Sequence, residues 1–260
     1  MQDDRRYTAI PWSVLATALA FSLALFTAGC GGPADQADTG AAPEGRERTS
    51  TAAPDGDAEP ADGDWLLTRL PAEMDHLNPY TLSDAYASAI NGLIFDGLLD
   101  RNNETLEMEP NLAESWEISD DKLVYTFHLR GDLIFSDGQP LTANDVKFSF
   151  DTIMNPENDT AFMRNYYKDV EECEVIDERT VRFTCAKPYF RHLVMLGGFE
   201  VIPEHIYGTG DFNNHPNNRQ PIGSGPYIFD RWDTGQQIVL ARNEQFWGKK
   251  PRILKRVYKI

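Results

Sequence analysis

The sequence is poor in the residues that usually carry chemistry or bind phosphate. It has 3 Cys and 5 His in 260 residues, and 24 Lys and Arg against 41 Asp and Glu. A net charge of −17 leaves no basic footprint for nucleic acid, because phosphate binding needs clustered Lys and Arg. His76, His128, His192, His205 and His215 are scattered, without an HExxH motif or a partner at metal-ligand spacing. His128 falls on the polar face of a strand pattern and reads as an exposed structural side chain. Gly223-Ser224-Gly225 lacks the flanking spacing of a nucleophile elbow, and Pro226 follows it where a phosphate cradle needs Lys-Ser/Thr and a helix. No internal repeat is visible. These absences point away from catalysis, from a bound metal or cofactor, and from nucleic acid.

What is present begins at the N-terminus. Arg5 and Arg6 precede the apolar run Val14 to Phe26, which is shorter than the roughly 20 residues a membrane span needs. Small residues follow, ending in Ala28-Gly29-Cys30, so residues 1–29 read as an export signal. Cys30 resembles the lipobox cysteine of bacterial lipoproteins, in which the thiol is acylated and becomes the new N-terminus. That resemblance implies an exported, lipid-anchored chain in the periplasm or on the outer face of the cytoplasmic membrane. Residues 31–64 are almost all Gly, Ala, Pro, Asp, Glu, Thr and Ser. A segment with so little to bury is expected to be a disordered acidic tether, so 30–64 separates the lipid site from the body.

The body has alternating and helical patterns in mixture, which indicates an α/β or α+β class. Trp65–Leu70 opens it as a strand. Ser83 is placed to cap a helix carrying Tyr86, Ile90, Leu93 and Ile94 at helical spacing. Leu98-Leu99 and Leu106–Met108 suggest a hairpin, and Asn111–Trp116 a short helical turn. Leu123, Tyr125, Phe127 and Leu129 alternate with polar neighbours, as in a half-buried strand. Thr142-Ala143-Asn144-Asp145 is a capping box for a helix through Met154 whose Val146, Phe148, Phe150 and Ile153 suit packing on that strand. Phe190–Leu196 reads as helical, and Tyr227–Arg231, Gln237–Ala241 and Ile253–Ile260 as strands. Cys173 and Cys185 flank a hairpin turning at Asp177-Glu178-Arg179-Thr180, which brings them nearly opposite for a disulfide. Two buried free thiols are the alternative, since a one-residue slip in register turns them to opposite faces.

Four blocks together resemble the family 5 extracellular solute-binding proteins, the oligopeptide- and dipeptide-binding subunits of ABC importers. They are Leu77-Asn78-Pro79 with Ile94-Phe95-Asp96-Gly97-Leu98; Pro110-Asn111-Leu112-Ala113-Glu114-Ser115-Trp116; Tyr125–Arg130 with Phe135–Val146; and Gly223–Tyr227 with Arg242–Trp247. The resemblance implies a periplasmic-binding-protein-like type II fold of the α/β class, two-lobed with a family-specific extra domain. It assigns 65–82 and 196–260 to the first main lobe and 83–195 to the extra domain, with most of the second main lobe outside this sequence. It implies a peptide-like solute as ligand, an ABC permease and ATPase as partners, and a monomer; a nickel complex, haem or an oligosaccharide is the alternative ligand on the same fold, and a secreted lipoprotein hydrolase the alternative of another class. Gly223, Ser224 and Gly225 are expected to line the ligand site, because glycines let a ligand's main chain approach; the plainer reading is a tight turn entering a strand. Ser83, Asp84 and Tyr86 would border the cleft, although a helix cap accounts for Ser83 without a ligand. Tyr166, with Tyr167 and Arg164 beside it, suits a cleft wall or simple surface packing.

Overall fold

The structure, a computed structural model, describes residues 63–260. The export signal, Cys30 and the tether as far as residue 62 lie outside the described residues. Ten strands and five helices follow: β1 (Gly63–Arg69), α1 (Ala85–Ile94), β2 (Leu99–Arg101), β3 (Met108–Pro110), β4 (Ala113–Ile118), β5 (Val124–Leu129), α2 (Ala143–Met154), α3 (Ala161–Arg164), β6 (Val170–Asp177), β7 (Thr180–Cys185), α4 (His192–Gly198), α5 (Glu204–Tyr207), β8 (Tyr227–Asp233), β9 (Gln237–Arg242) and β10 (Ile253–Lys259). No helix among the described residues is long and apolar enough to cross a membrane.

Two four-stranded sheets organise them. The first runs β1-β10-β9-β8, with β1 parallel to β10 and the other pairs antiparallel, so the first described strand is held by the last. Ile238, Val239 and Leu240 are consecutive and all buried, which means that β9 is covered on both faces. The second sheet, β4-β5-β7-β6, is wholly antiparallel. Tyr125, Phe127 and Leu129 point into the core as their alternation requires, and the neighbours between them stay half-exposed. The Thr142 box forms: Asn144 N–H donates to Thr142 Oγ1 at 3.2 Å, and Thr142 N–H donates to Asp145 Oδ2 at 2.9 Å. From there α2 lays Val146, Phe150 and Ile153 on the sheet. Phe127, Phe150, Tyr167, Phe183 and Phe199 meet edge to face, with centroids 5.5–6.2 Å apart.

Several expectations need correction. The segment 111–116 is not helical. From Ala113 it is strand β4, with Trp116 opposite Phe127, because β5 supplies backbone partners that local spacing does not reveal. Ser83 does not cap α1. The Asp84 carboxylate does, accepting the N–H groups of Tyr86 and Ala87 at 2.9 and 2.8 Å, as an acceptor one residue later fits the first turn. Helix α4 starts two residues after Phe190.

The cysteines are not bonded to each other. Cys173 lies opposite Phe183 and Cys185 opposite Val170, and both thiols are free and buried. They share the inward face as diagonal neighbours, where Cα atoms stand about 7–8 Å apart. That exceeds the roughly 4.4–6.8 Å that a disulfide spans. Burial pushes the Cys173 thiol up to about 12 and the Cys185 thiol to about 11, so neither is a thiolate near neutral pH. An alkylating reagent at pH 8 should therefore leave both unmodified in the folded chain and modify both in denaturant without reductant. A pair still unmodified in denaturant, by mass spectrometry, would mean that they are bonded after all.

Candidate functional site

The four sequence blocks converge on one carboxylate. Asp96 lies between α1 and β2 and is 8% exposed. Asn111 Nδ2 donates to its Oδ1 at 3.4 Å and to Gly97 O at 3.1 Å. Trp247 Nε1 and Ser224 Oγ both donate to Asp96 Oδ2, at 3.3 and 3.5 Å. Arg130, at the end of β5, donates from Nε to Asn111 O at 2.7 Å and lays its guanidinium 4.6 Å over the Trp247 ring. One residue or more from every block thus takes part. Burial pushes the Asp96 carboxyl up to about 6, against the pull of Asn111, Trp247 and Ser224, which favour the charged form.

The strap Gly223-Ser224-Gly225 lies against the C-terminal end of α1. A Cβ on Gly223 would sit 2.1 Å from Ile94 O, and one on Gly225 2.6 Å from Leu93 O. Three of its backbone groups are used within the chain: Gly225 N–H donates to Ile94 O at 2.8 Å, Gly223 O accepts from Ser136 N–H at 2.9 Å, and Gly225 O accepts from Asn243 Nδ2 at 2.9 Å. The close approach that demands glycine here is to the protein's own helix. Ser224 itself is buried.

The remaining expected residues stand elsewhere. Ser83, Asp84 and Tyr86 cluster at the other end of α1, roughly 15 Å away at the rise of a ten-residue helix. The Asp84 carboxylate is engaged in capping, while Ser83 and Tyr86 are exposed. Tyr166 is 53% exposed beyond α3, whereas Tyr167 is buried and donates to Met195 O at 3.2 Å. Spacing alone missed Asp96, Asn111 and Trp247 as a network. The signal that pointed to them was their membership in the four blocks. His128 is half-exposed beside Glu117 at 3.9 Å, and His205 meets Asp137 at 2.7 Å. Among the described residues, no group of three or more His, Cys, Asp or Glu is placed to hold a metal.

Two hollows adjoin this framework. One of about 330 Å³ has Asp96, Asp100, Asn111 and Glu200 in its wall. Another, of about 720 Å³, runs along β8 and touches none of the expected ligand residues. Of the charges in its wall, Arg219 pairs with Glu73, Asp137 with His205, and Arg231 with Asp230 and Asp233.

Residues 107–260 match the family model of the bacterial extracellular solute-binding proteins, family 5, middle region. The chain belongs to that family. Protein XP55 of Streptomyces lividans is 36% identical over 203 residues, which are 76% of this chain and 35% of that protein. NikZ of Campylobacter jejuni, solved with Ni(L-His), is similar at 31% identity and a TM-score of 0.68, over 77% of this chain and 39% of the other. DppA of Helicobacter pylori, solved with the peptide STSA, is similar at 28% identity and a TM-score of 0.68, over 76% and 43%. The fold is that of family 5 type II periplasmic binding proteins, mixed α/β. This family 5 chain spans about a third of the length of the curated relatives it matches.

Proposed function

We propose that the chain is part of the substrate-capturing subunit of an ABC importer, exported, tethered by lipid on Cys30, and free of chemistry of its own. The ligand is a peptide or a similar small solute, held between two lobes and presented to a membrane permease. Family membership together with a peptide-bound structural neighbour carries this reading. A ligand that touches both lobes favours their closed arrangement, which is how binding alone generates a signal for transport.

In this reading 65–82 and 196–260 belong to the first lobe and 83–195 to the extra domain. The two separate sheets support that division, with α1 moving alongside the first lobe. Ser83, Asp84 and Tyr86 at the start of α1 and the exposed Tyr166 are the proposed contacts. The Gly223–Gly225 strap supports the site instead of touching the ligand, because α1 already occupies its open side.

A second reading has its own observation: the similarity to NikZ with Ni(L-His) bound makes a nickel–amino-acid complex a candidate. Native mass spectrometry of the full-length protein, purified without refolding, separates the two. A retained peptide of a few residues is expected. Retained nickel with an amino acid would favour the second reading, and steady hydrolysis of a bound peptide would overturn both.

A further inference from the structure

Strand β8 is one edge of the first sheet. In an antiparallel edge strand every second residue turns its N–H and C=O away from its neighbour. Beyond the ladder to β9, no backbone group of residues 228–232 has a hydrogen-bond partner among the described residues. These open groups do not face bulk solvent. They border the hollow of about 720 Å³, whose wall is completed by the segment 217, 219–222 and the turn Ser136-Asp137. That volume falls within the roughly 300–1,000 Å³ usual for ligand sites.

The wall is apolar where side chains could dock and balanced where charge could. Ile222, Ile228, Phe229 and Trp232 line it and are half-buried. Its two carboxylates, Asp137 and Asp230, offset its two guanidiniums, Arg219 and Arg231, and each has a partner within the chain. Arg219 also lies 4.0 Å over the Trp232 ring, whose Nε1 donates to Glu73 Oε1 at 2.6 Å, so that end of the hollow is fixed. Such a wall complements an uncharged ligand that brings its own N–H and C=O groups. The register shift between Phe229 and Arg231 bends the strand, which discourages pairing along its whole length and suits a short partner.

We propose that this hollow is a second peptide site, in which a short, uncharged, extended peptide adds to β8 as a fifth strand of the first sheet. Residues 228–232 offer about five residues of edge, roughly 16 Å at the rise of a strand. The added main chain supplies the missing hydrogen-bond partners, and its side chains alternate between the apolar wall and solvent. The hollow includes none of Ser83, Asp84, Tyr86 and Tyr166, so the site is separate from the contacts proposed for the transported solute and does not depend on them.

The test titrates the full chain with acetyl-Thr-Val-Thr-Val-Thr-amide and follows backbone amides by NMR. The amides of residues 228–232 and the Trp232 indole N–H should shift together and saturate. Because only alternate N–H groups of an added strand face β8, N-methylation of peptide residues two and four together, or of residue three alone, should differ in effect. One pattern should weaken binding at least about tenfold and the other less than about threefold, as loss of main-chain hydrogen bonds implies. Gln220→Trp, at an exposed position in the wall, should fill the hollow and weaken binding at least about tenfold while the unfolding midpoint stays unchanged. No shift at millimolar peptide, or shifts confined to Ser83, Asp84, Tyr86 and Tyr166, would overturn the proposal. Equal effects of the two methylation patterns would also overturn it, since side chains alone would then hold the peptide.

Discussion

Replacing Gly223 with alanine should destabilise the chain by about 3 kcal/mol or more, near the upper end for overpacking a core. The added Cβ would sit 2.1 Å from Ile94 O, 2.8 Å from Ile94 C and 2.9 Å from a Phe95 ring carbon. Two of those atoms are backbone at the end of α1, so no side chain can rotate to make room. Either the strap lifts, breaking the Gly225-to-Ile94 hydrogen bond and the Ser224–Asp96 contact, or the helix end shifts. Gly92 is the control. It lies inside α1, and a Cβ added there would meet nothing within 4 Å, so Gly92→Ala should stabilise by about 0.5–1 kcal/mol through helix propensity. Urea unfolding of the two variants measures the contrast. Equal stability would mean that the strap does not rest on α1. A Gly223→Ala chain of unchanged stability but weakened solute binding would return the strap to the role of ligand contact.

Phe183→Ala should cost about 3–5 kcal/mol, the range for removing a buried aromatic ring from a core. Phe183 is fully buried on β7, opposite Tyr125 on one side and Cys173 on the other. Its ring meets Phe127 at 5.9 Å, Phe150 at 5.5 Å and Phe199 at 6.2 Å, all edge to face. Those partners come from β5, α2 and the segment after α4, so one truncation loosens three elements at once. Against a total stability of about 5–15 kcal/mol for an ordinary domain, this loss should be visible as a lower unfolding midpoint and new thiol reactivity at Cys173. A change below about 1 kcal/mol would show that the second sheet does not depend on this cluster.

The sequence displays what depends on neighbours along the chain. The alternation of Tyr125, Phe127 and Leu129 marks β5 because side chains of a strand point alternately to opposite faces. The Thr142 capping box marks the start of α2 because its hydrogen bonds close within four residues. The parallel pairing of β1 with β10 joins the two ends of the described chain, and no local pattern encodes such a partner. For the same reason local spacing misassigns 111–116, since β4 exists through its bonds to β5. Register separates the two cysteines: they share the inward face of one hairpin, but offset by one diagonal step.

The four blocks are legible as a set, but their purpose is not. Along the chain, Gly223-Ser224-Gly225 looks like a surface opened for a ligand's backbone. In three dimensions its glycines admit the end of α1, and its serine reaches Asp96. A glycine in a sequence records only that something must come close. What comes close is decided by packing, because the atoms that approach belong to residues more than a hundred positions away.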